Sequence, residues 1–276
     1  MDNSIHMGFN RTFLKRKKEG KYMFVDSHAH LQWKSFEKDL DTVIEKAVKA
    51  GVEKIITIGT SLLESKKGVQ LARRCANVYA TVGIHPHNAK YFNNNVAREL
   101  KQMAEDPKVV AIGEIGLDYY RNLSSRQAQQ EAFKAQLLLA KELQLPVVIH
   151  DREAHADVLK TISECQSKIE GVMHCFSGSK EMAVQSIANG FYISFAGNIT
   201  FPKAVRLQEI AASLELDKIL VETDCPWLAP QKIRGKRNEP AFLTYTVEEI
   251  ANLKNIPLEK VAKATTQNAY DIFKLV

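Results

Sequence analysis

The sequence predicts a single (β/α)8 barrel, the TIM-barrel class of α/β fold. Short apolar runs rich in β-branched residues recur eight times between Met23 and Thr223. Segments with helical period separate several of them, and no Gly-x-Gly-x-x-Gly turn follows the first run. Strands alternating with helices pair in parallel through right-handed crossovers, and eight such units point to a closed cylinder. An open doubly wound sheet is the alternative, but it usually begins with a Gly-rich turn.

Each element follows in order. MFVDS (23–27) is the first strand, and FEKDLDTVIEKAVKAG (36–51) is the first helix. That helix places Leu40, Val43, Ile44, Ala47 and Val48 on one stripe and stops at Gly51. KIITIGT (54–60), VYATVGI (78–84) and VVAIGEI (109–115) are the next three strands. SRQAQQEAFKAQLLLAKEL (125–143), rich in helix formers, leads into PVVIH (146–150). GVMHC (171–175), FYISFA (191–196) and KILVET (218–223) complete the strands. The helical stretches REAHADVLKTISEC, SKEMAVQSIANG and PKAVRLQEIAASL lie between them, and two more helices are expected near 241–254 and 257–273. No low-complexity tract or Pro-rich linker interrupts 23–276, so this span reads as one domain.

Composition narrows the class. Hydrophobic residues at 45% and charged residues at 25% are ordinary for a globular chain. Nothing approaches the roughly 20 consecutive apolar residues that span a bilayer, so no membrane association is expected. Of the net charge of +6, residues 1–22 hold +4, through six bases against Asp2 and Glu19. They lack an apolar h-region and read as a flexible basic N-terminal extension, a leader or an over-extended start with Met23 as the true one. The body carries only +2, which identifies no partner. Cys75, Cys165, Cys175 and Cys225 show no CxxC spacing, which suits free thiols and a cytoplasmic location. Cys175 and Cys225 stand beside candidate site residues and are read as small buried hydrophobes.

Active sites of such barrels gather at the C-terminal ends of the strands. Asp26, His28 and His30 end the first strand, and residues two apart on a strand share a face. His85 and His87 follow the third, Glu114 and Asp118 lie on or after the fourth, and His150 and Asp151 end the fifth. His174 ends the sixth, and Glu222 and Asp224 the eighth. Six of the seven histidines in 23–276 fall at such ends, His155 being the exception. Glu114 sits inside an apolar run, where an acid must be paired, protonated or bound to a cation.

One metal centre accounts for all of these placements, and its composition suits two divalent ions. His28 and His30 with Asp224 would hold the first, and His150 with His174 the second. Glu114 would bridge them, and Asp224 would serve as general base toward a metal-activated water. Mixed nitrogen and oxygen ligands fit Zn, Mn, Fe or Ni, with Mg as a weaker binder.

The motifs DSHAHL, GIHPH, AIGEIGLDYY, VIHDREAHADVL, MHCFSGS, ISFAG, ILVETDCPWLAP and GKRNEP, in this order over about 23–273, resemble the TatD-type metal-dependent deoxyribonucleases of the amidohydrolase-like barrels. The resemblance implies 3′–5′ exonuclease action on DNA, in some members also on RNA. It implies His28, His30, Glu114, His150, His174 and Asp224 as metal ligands, His85 near the scissile phosphate, and Glu222 as a supporting acid. Gln32 departs from the pattern, since the family often has Asp there.

The residues add their own case for a phosphate substrate. The loop PQKIRGKRNEP (230–240) follows the last strand with Lys232, Arg234, Lys236 and Arg237, and phosphate contacts dominate nucleic-acid affinity. Arg234, Arg237 and Arg121 are the expected substrate contacts, and Trp33 and Trp227 are candidates for stacking on bases. DNA or RNA is then the expected partner, with no stable protein partner implied. Two rivals remain. A small-molecule amidohydrolase or lactonase would share the ligands, although Glu114 stands where many of those enzymes carry a carboxylated Lys. A non-catalytic nucleic-acid-binding module would need a more basic body.

Overall fold

Eight strands follow one another around the sheet in chain order, every neighbouring pair parallel. The structure, a computed structural model, describes residues 22–165 and 169–276. The strands are β1 (Phe24–Ala29), β2 (Val52–Thr57), β3 (Val78–Val82), β4 (Val109–Asp118), β5 (Val147–Arg152), β6 (Gly171–Met173), β7 (Phe191–Phe195) and β8 (Ile219–Val221). β8 meets β1 through a single bridge, Ala29 to Cys225, so the (β/α)8 barrel is nearly closed. The N-terminal extension lies outside the described residues except for Tyr22, which packs partly buried against the barrel core.

The crossovers carry α1 (Leu40–Lys49), α2 (Leu62–Arg74), α3 (Asn94–Met103), α4 (Arg126–Leu143), α5 (His155–Glu164), α6 (Lys180–Ala188) and α7 (Val205–Ser213), followed by α8 (Leu243–Lys254) and α9 (Leu258–Phe273). The helices of the second and third crossovers, α2 and α3, are additions to those expected from the sequence. α3 sets Val96, Leu100 and Met103 on one face against the core, but these few apolar residues stand in a mostly polar segment, with Leu100 alone fully buried. Their caps are clearer signals: Ser61 Oγ accepts from the Glu64 N–H, and Asn93 Oδ1 from the N–H groups of Asn95 and Val96.

β4 runs three residues past its expected end, because Gly116, Leu117 and Asp118 stay paired with His150, Asp151 and Arg152 of β5. Gly116 makes this pairing possible. Its φ is +137°, and a Cβ there would lie 2.0 Å from the His150 carbonyl oxygen. The extension lifts Asp118 to the rim beside His150.

Two apolar layers hold the barrel. The larger lies between the sheet and the helices around it. The smaller draws Val25, Ile56, Tyr79, Val110, Val148, Val172, Tyr192 and Leu220, one residue from each strand, around Ile272, Phe273 and Leu275. Only a filled lumen brings all eight strands onto one cluster. The chain end closes its floor, where Tyr79 Oη and Lys54 Nζ donate to the Val276 carbonyl at 2.5 and 2.7 Å. Phe273→Ala should therefore cost about 3–5 kcal/mol in urea unfolding. Divalent-metal stoichiometry of the folded variant should stay unchanged, because this plug lies at the opposite end from the strand C-termini.

Candidate metal centre

Parallel pairing turns every strand C-terminus to the same rim, so residues distant in sequence become neighbours. His28 and Glu114 lie on β1 and β4, His150 on β5, and His30, His85, His174 and Asp224 just beyond their strands. The Nε2 atoms of His28 and His30 are 3.2 Å apart, and Asp224 Oδ1 lies 3.6 and 3.3 Å from them. Glu114 divides its two oxygens. Oε2 faces His28 Nε2 at 3.6 Å, whereas Oε1 faces His150 Nδ1 at 2.7 Å, His174 Nε2 at 2.9 Å and His85 Nε2 at 3.5 Å. The triads His28–His30–Glu114, His28–His174–Asp224 and His85–Glu114–His150 each keep their ligand atoms within 4.8 Å of one another. The structure thus brings together every residue expected as a ligand, and adds His85 to the second group.

These residues fit divalent metal ions. His28, His30 and Glu114 are buried, and their nitrogens and oxygens converge without a Lys or Arg among them. Among the described residues His28 Nδ1 and His30 Nδ1 have no hydrogen-bond partner, so these imidazoles are left poorly satisfied. Neutral imidazole and carboxylate are ligands of Zn, Mn, Fe and Ni.

The charge states follow from burial and crowding. Burial, with His174 beside it, drives His28 well below the usual imidazole range, and burial does the same to His85. Burial pushes Glu114 upward, but the facing His174 and the hydrogen bonds from His150 and His174 overcome it and hold this carboxyl well below the usual range. For His174 burial acts downward, and Glu114 and Glu222 outweigh it to raise the imidazole well above its ordinary value. Burial together with Asp224, Glu222 and Glu114 raises the Cys175 thiol, and burial raises that of Cys225. Both thus stay protonated, which is unsuited to metal ligation.

A further layer of polar residues aims the inner ones. Glu222, fully buried, accepts from Ser194 Oγ at 2.6 Å and the Cys175 N–H at 2.8 Å, and meets His174 Nδ1 at 3.1 Å. Asp118 was noted at the rim but given no role by the sequence. Its Oδ2 lies 2.8 Å from His87 Nε2 and 3.2 Å from His150 Nε2, and its backbone is locked by buried Gln129. Asp26 of β1 accepts from the Thr223 N–H and hydroxyl at 2.9 and 2.6 Å. A buried acid on an apolar strand was the available signal for Asp26 and Asp118. For Ser194, Thr223 and Gln129 a lone sequence holds none, because uncharged polar residues are common everywhere. Asp224 has φ +52°, a left-handed conformation that costs energy outside glycine and recurs at functional sites.

The expected substrate contacts fare differently. Arg237 is committed, donating to Asp39 at 2.9 and 2.6 Å, to Glu239 at 2.8 Å and to the Ser35 carbonyl. Arg234 is exposed with its guanidinium over Phe201, and Arg121 is exposed with its N–H on Asp118 Oδ1 at 2.7 Å. Gln32 turns toward β2, donating to the Ile58 carbonyl at 2.7 Å and accepting from Thr57 Oγ1 at 2.5 Å. That pairing supports β1 against β2 rather than the ligand cluster.

If Asp118 fixes the His150 tautomer by holding Nε2, Asp118→Asn should weaken divalent-metal affinity about 10–100-fold by titration calorimetry. The variant should keep its far-ultraviolet dichroism.

Comparison with known proteins places this geometry. A sequence model described as TatD related DNase matches residues 25–274. The chain is 39% identical to the uncharacterized metal-dependent hydrolase YabD of Bacillus subtilis (strain 168), over 92% of this chain and 100% of that protein. It is 38% identical to the 3′-5′ ssDNA/RNA exonuclease TatD of Erwinia tasmaniensis, over 91% of this chain and 99% of that one. The crystal structure of YjjV, a TatD homologue from Escherichia coli K12, superposes with a TM-score of 0.87 at 31% identity, covering 92% and 98% of the two chains. With its barrel, its rim of imidazoles and carboxylates, and near-full-length similarity, this chain belongs to the TatD-related DNase family.

Proposed function

We propose that the protein is a metal-dependent hydrolase that removes nucleotides from the 3′ end of single-stranded DNA, and of RNA as a second substrate. Two divalent ions would occupy the rim, one on His28, His30 and Asp224, the other on His150 and His174, with Glu114 between them. The observation that carries this reading is the split of Glu114, whose Oε2 faces His28 while Oε1 faces His150 and His174. The polarity and substrate class are supported by the relatives named as exonucleases. The four cysteines, none in a disulfide among the described residues, support a cytoplasmic location.

When bound, such a pair of ions supplies an activated water and offsets charge on both the entering and leaving oxygens. The residues do the rest. Asp224 is the least buried carboxylate of the cluster, at 14% side-chain exposure against 4% for Glu114, so water can reach it. It would accept the proton of the attacking water. His85 Nδ1 accepts from the His87 N–H at 3.1 Å, which in the neutral ring leaves the proton on Nε2. That N–H would donate to a phosphoryl oxygen, and burial keeps the ring neutral. Glu222 would hold His174 through Nδ1, leaving Nε2 directed at Glu114. Arg121 and Arg234, both exposed, are the cations available to phosphates further along the strand; the bonded Arg237 instead braces its own loop.

Asp224→Asn should keep the fold and lower kcat about 10²–10⁴-fold with added Mn or Mg. A 5′-labelled single strand should give a ladder of products shortened from the 3′ end. Cutting of circular single strands would overturn the exonucleolytic reading, and turnover of cyclic amides or lactones in place of oligonucleotides would overturn the substrate class.

A further inference from the structure

Trp227 is 43% exposed, although it stands three residues beyond Asp224 at the wall of a buried polar site. Its ring centroid lies 5.1 Å from that of His30 and 4.6 Å from that of Trp33, at interplanar angles of 71° and 86°. Both neighbours meet it edge-to-face, so neither is stacked parallel on it. The Trp227 N–H donates to the Asp224 carbonyl at 3.0 Å. Asn238, fully buried, donates to the carbonyls of both Thr223 and Trp227 at 2.8 Å. An exposed indole on so fixed a backbone loses little conformational freedom when a ligand packs on it.

From this we propose that Trp227 is a specificity-determining platform on which an unpaired nucleobase at the scissile end of the strand stacks, with Trp33 bracing it. The proposal rests on the nuclease reading above and names which part of the substrate the site recognises. A base held on Trp227 places its own phosphodiester toward His30 and Asp224. Stacking accepts every base, because each has a π-face, so it selects for single strands rather than for sequence. A base inside a duplex must first leave its partner, which makes blunt ends poor substrates.

A cycle crossing Trp227→Ala and Trp227→Phe with two single-stranded oligonucleotides, one ordinary and one with an abasic 3′-terminal nucleotide, tests this. Affinity is read on Mn-loaded protein with a phosphorothioate at the terminal linkage to slow cleavage, and kcat/KM on the unmodified linkage. For the wild type the abasic end should weaken binding about tenfold, which is about 1.4 kcal/mol. For Trp227→Ala that difference should vanish, and Trp227→Phe should restore most of it. Equal losses with both oligonucleotides, whatever the residue at 227, would overturn the platform. Coupling in binding without any cleavage would leave the platform standing and refute the nuclease reading. Cleavage without coupling would do the reverse.

Discussion

Asp26 joins the first strand to the last, and the ligand cluster depends on that junction. The seam between β1 and β8 has little ladder: one bridge, with the His30 N–H donating to the Cys225 carbonyl and the Asp224 N–H to the His28 carbonyl, each at 2.9 Å. Asp26 adds two bonds from Thr223, and its carboxyl sits where water does not reach. Burial pushes it up to about 7 against the pull of those bonds. Backbone pairing across the seam thus involves His28, His30 and Asp224 themselves. An opening of the barrel at this point would separate the residues proposed for the first ion.

Convergence explains the unusual protonation pattern. Imidazoles buried together repel one another when charged, so some must lose their protons and others must find acids. Glu114 receives three ring nitrogens at Oε1, while Glu222 and Asp118 sit behind His174 and His150 on the far ring nitrogens. Each acid behind a ring fixes which nitrogen carries the proton, and so which lone pair is free. The arrangement is expensive to desolvate unless cations complete it, which is a property of a binding site rather than of a stabilising core.

Recognition is divided between charge and ring surface. A body of only +2 gives weak general attraction to a polyanion, and the most basic loop spends Arg237 on Asp39 and Glu239. Arg237 also lies over Phe36, so its loop is tied to the segment before α1. That leaves ring surface near His30 as a larger contributor to substrate contact than net charge alone suggests, since stacking is insensitive to salt screening while phosphate contacts are not.

How much of this was readable without coordinates depended on local signals. The strands announced themselves by β-branched runs, and Glu114 by being an acid within one of them. α3 did not, because its apolar Val96, Leu100 and Met103, although at helical spacing, are few among mostly polar residues. Asp118 lay beyond the expected strand end, and its partnership with His87 and His150 required the extra pairing of β4 with β5 through Gly116. Arg237 looked like a phosphate contact because a sequence shows charge but not the nearby carboxylates that consume it. By itself the sequence determined the alternation of elements and the identities of the ligand side chains, since periodicity and residue type are local. Only the tertiary structure decided which atoms face one another and which charges remain free, because distances between residues 198 positions apart, as between Arg237 and Asp39, exist only once the barrel has closed.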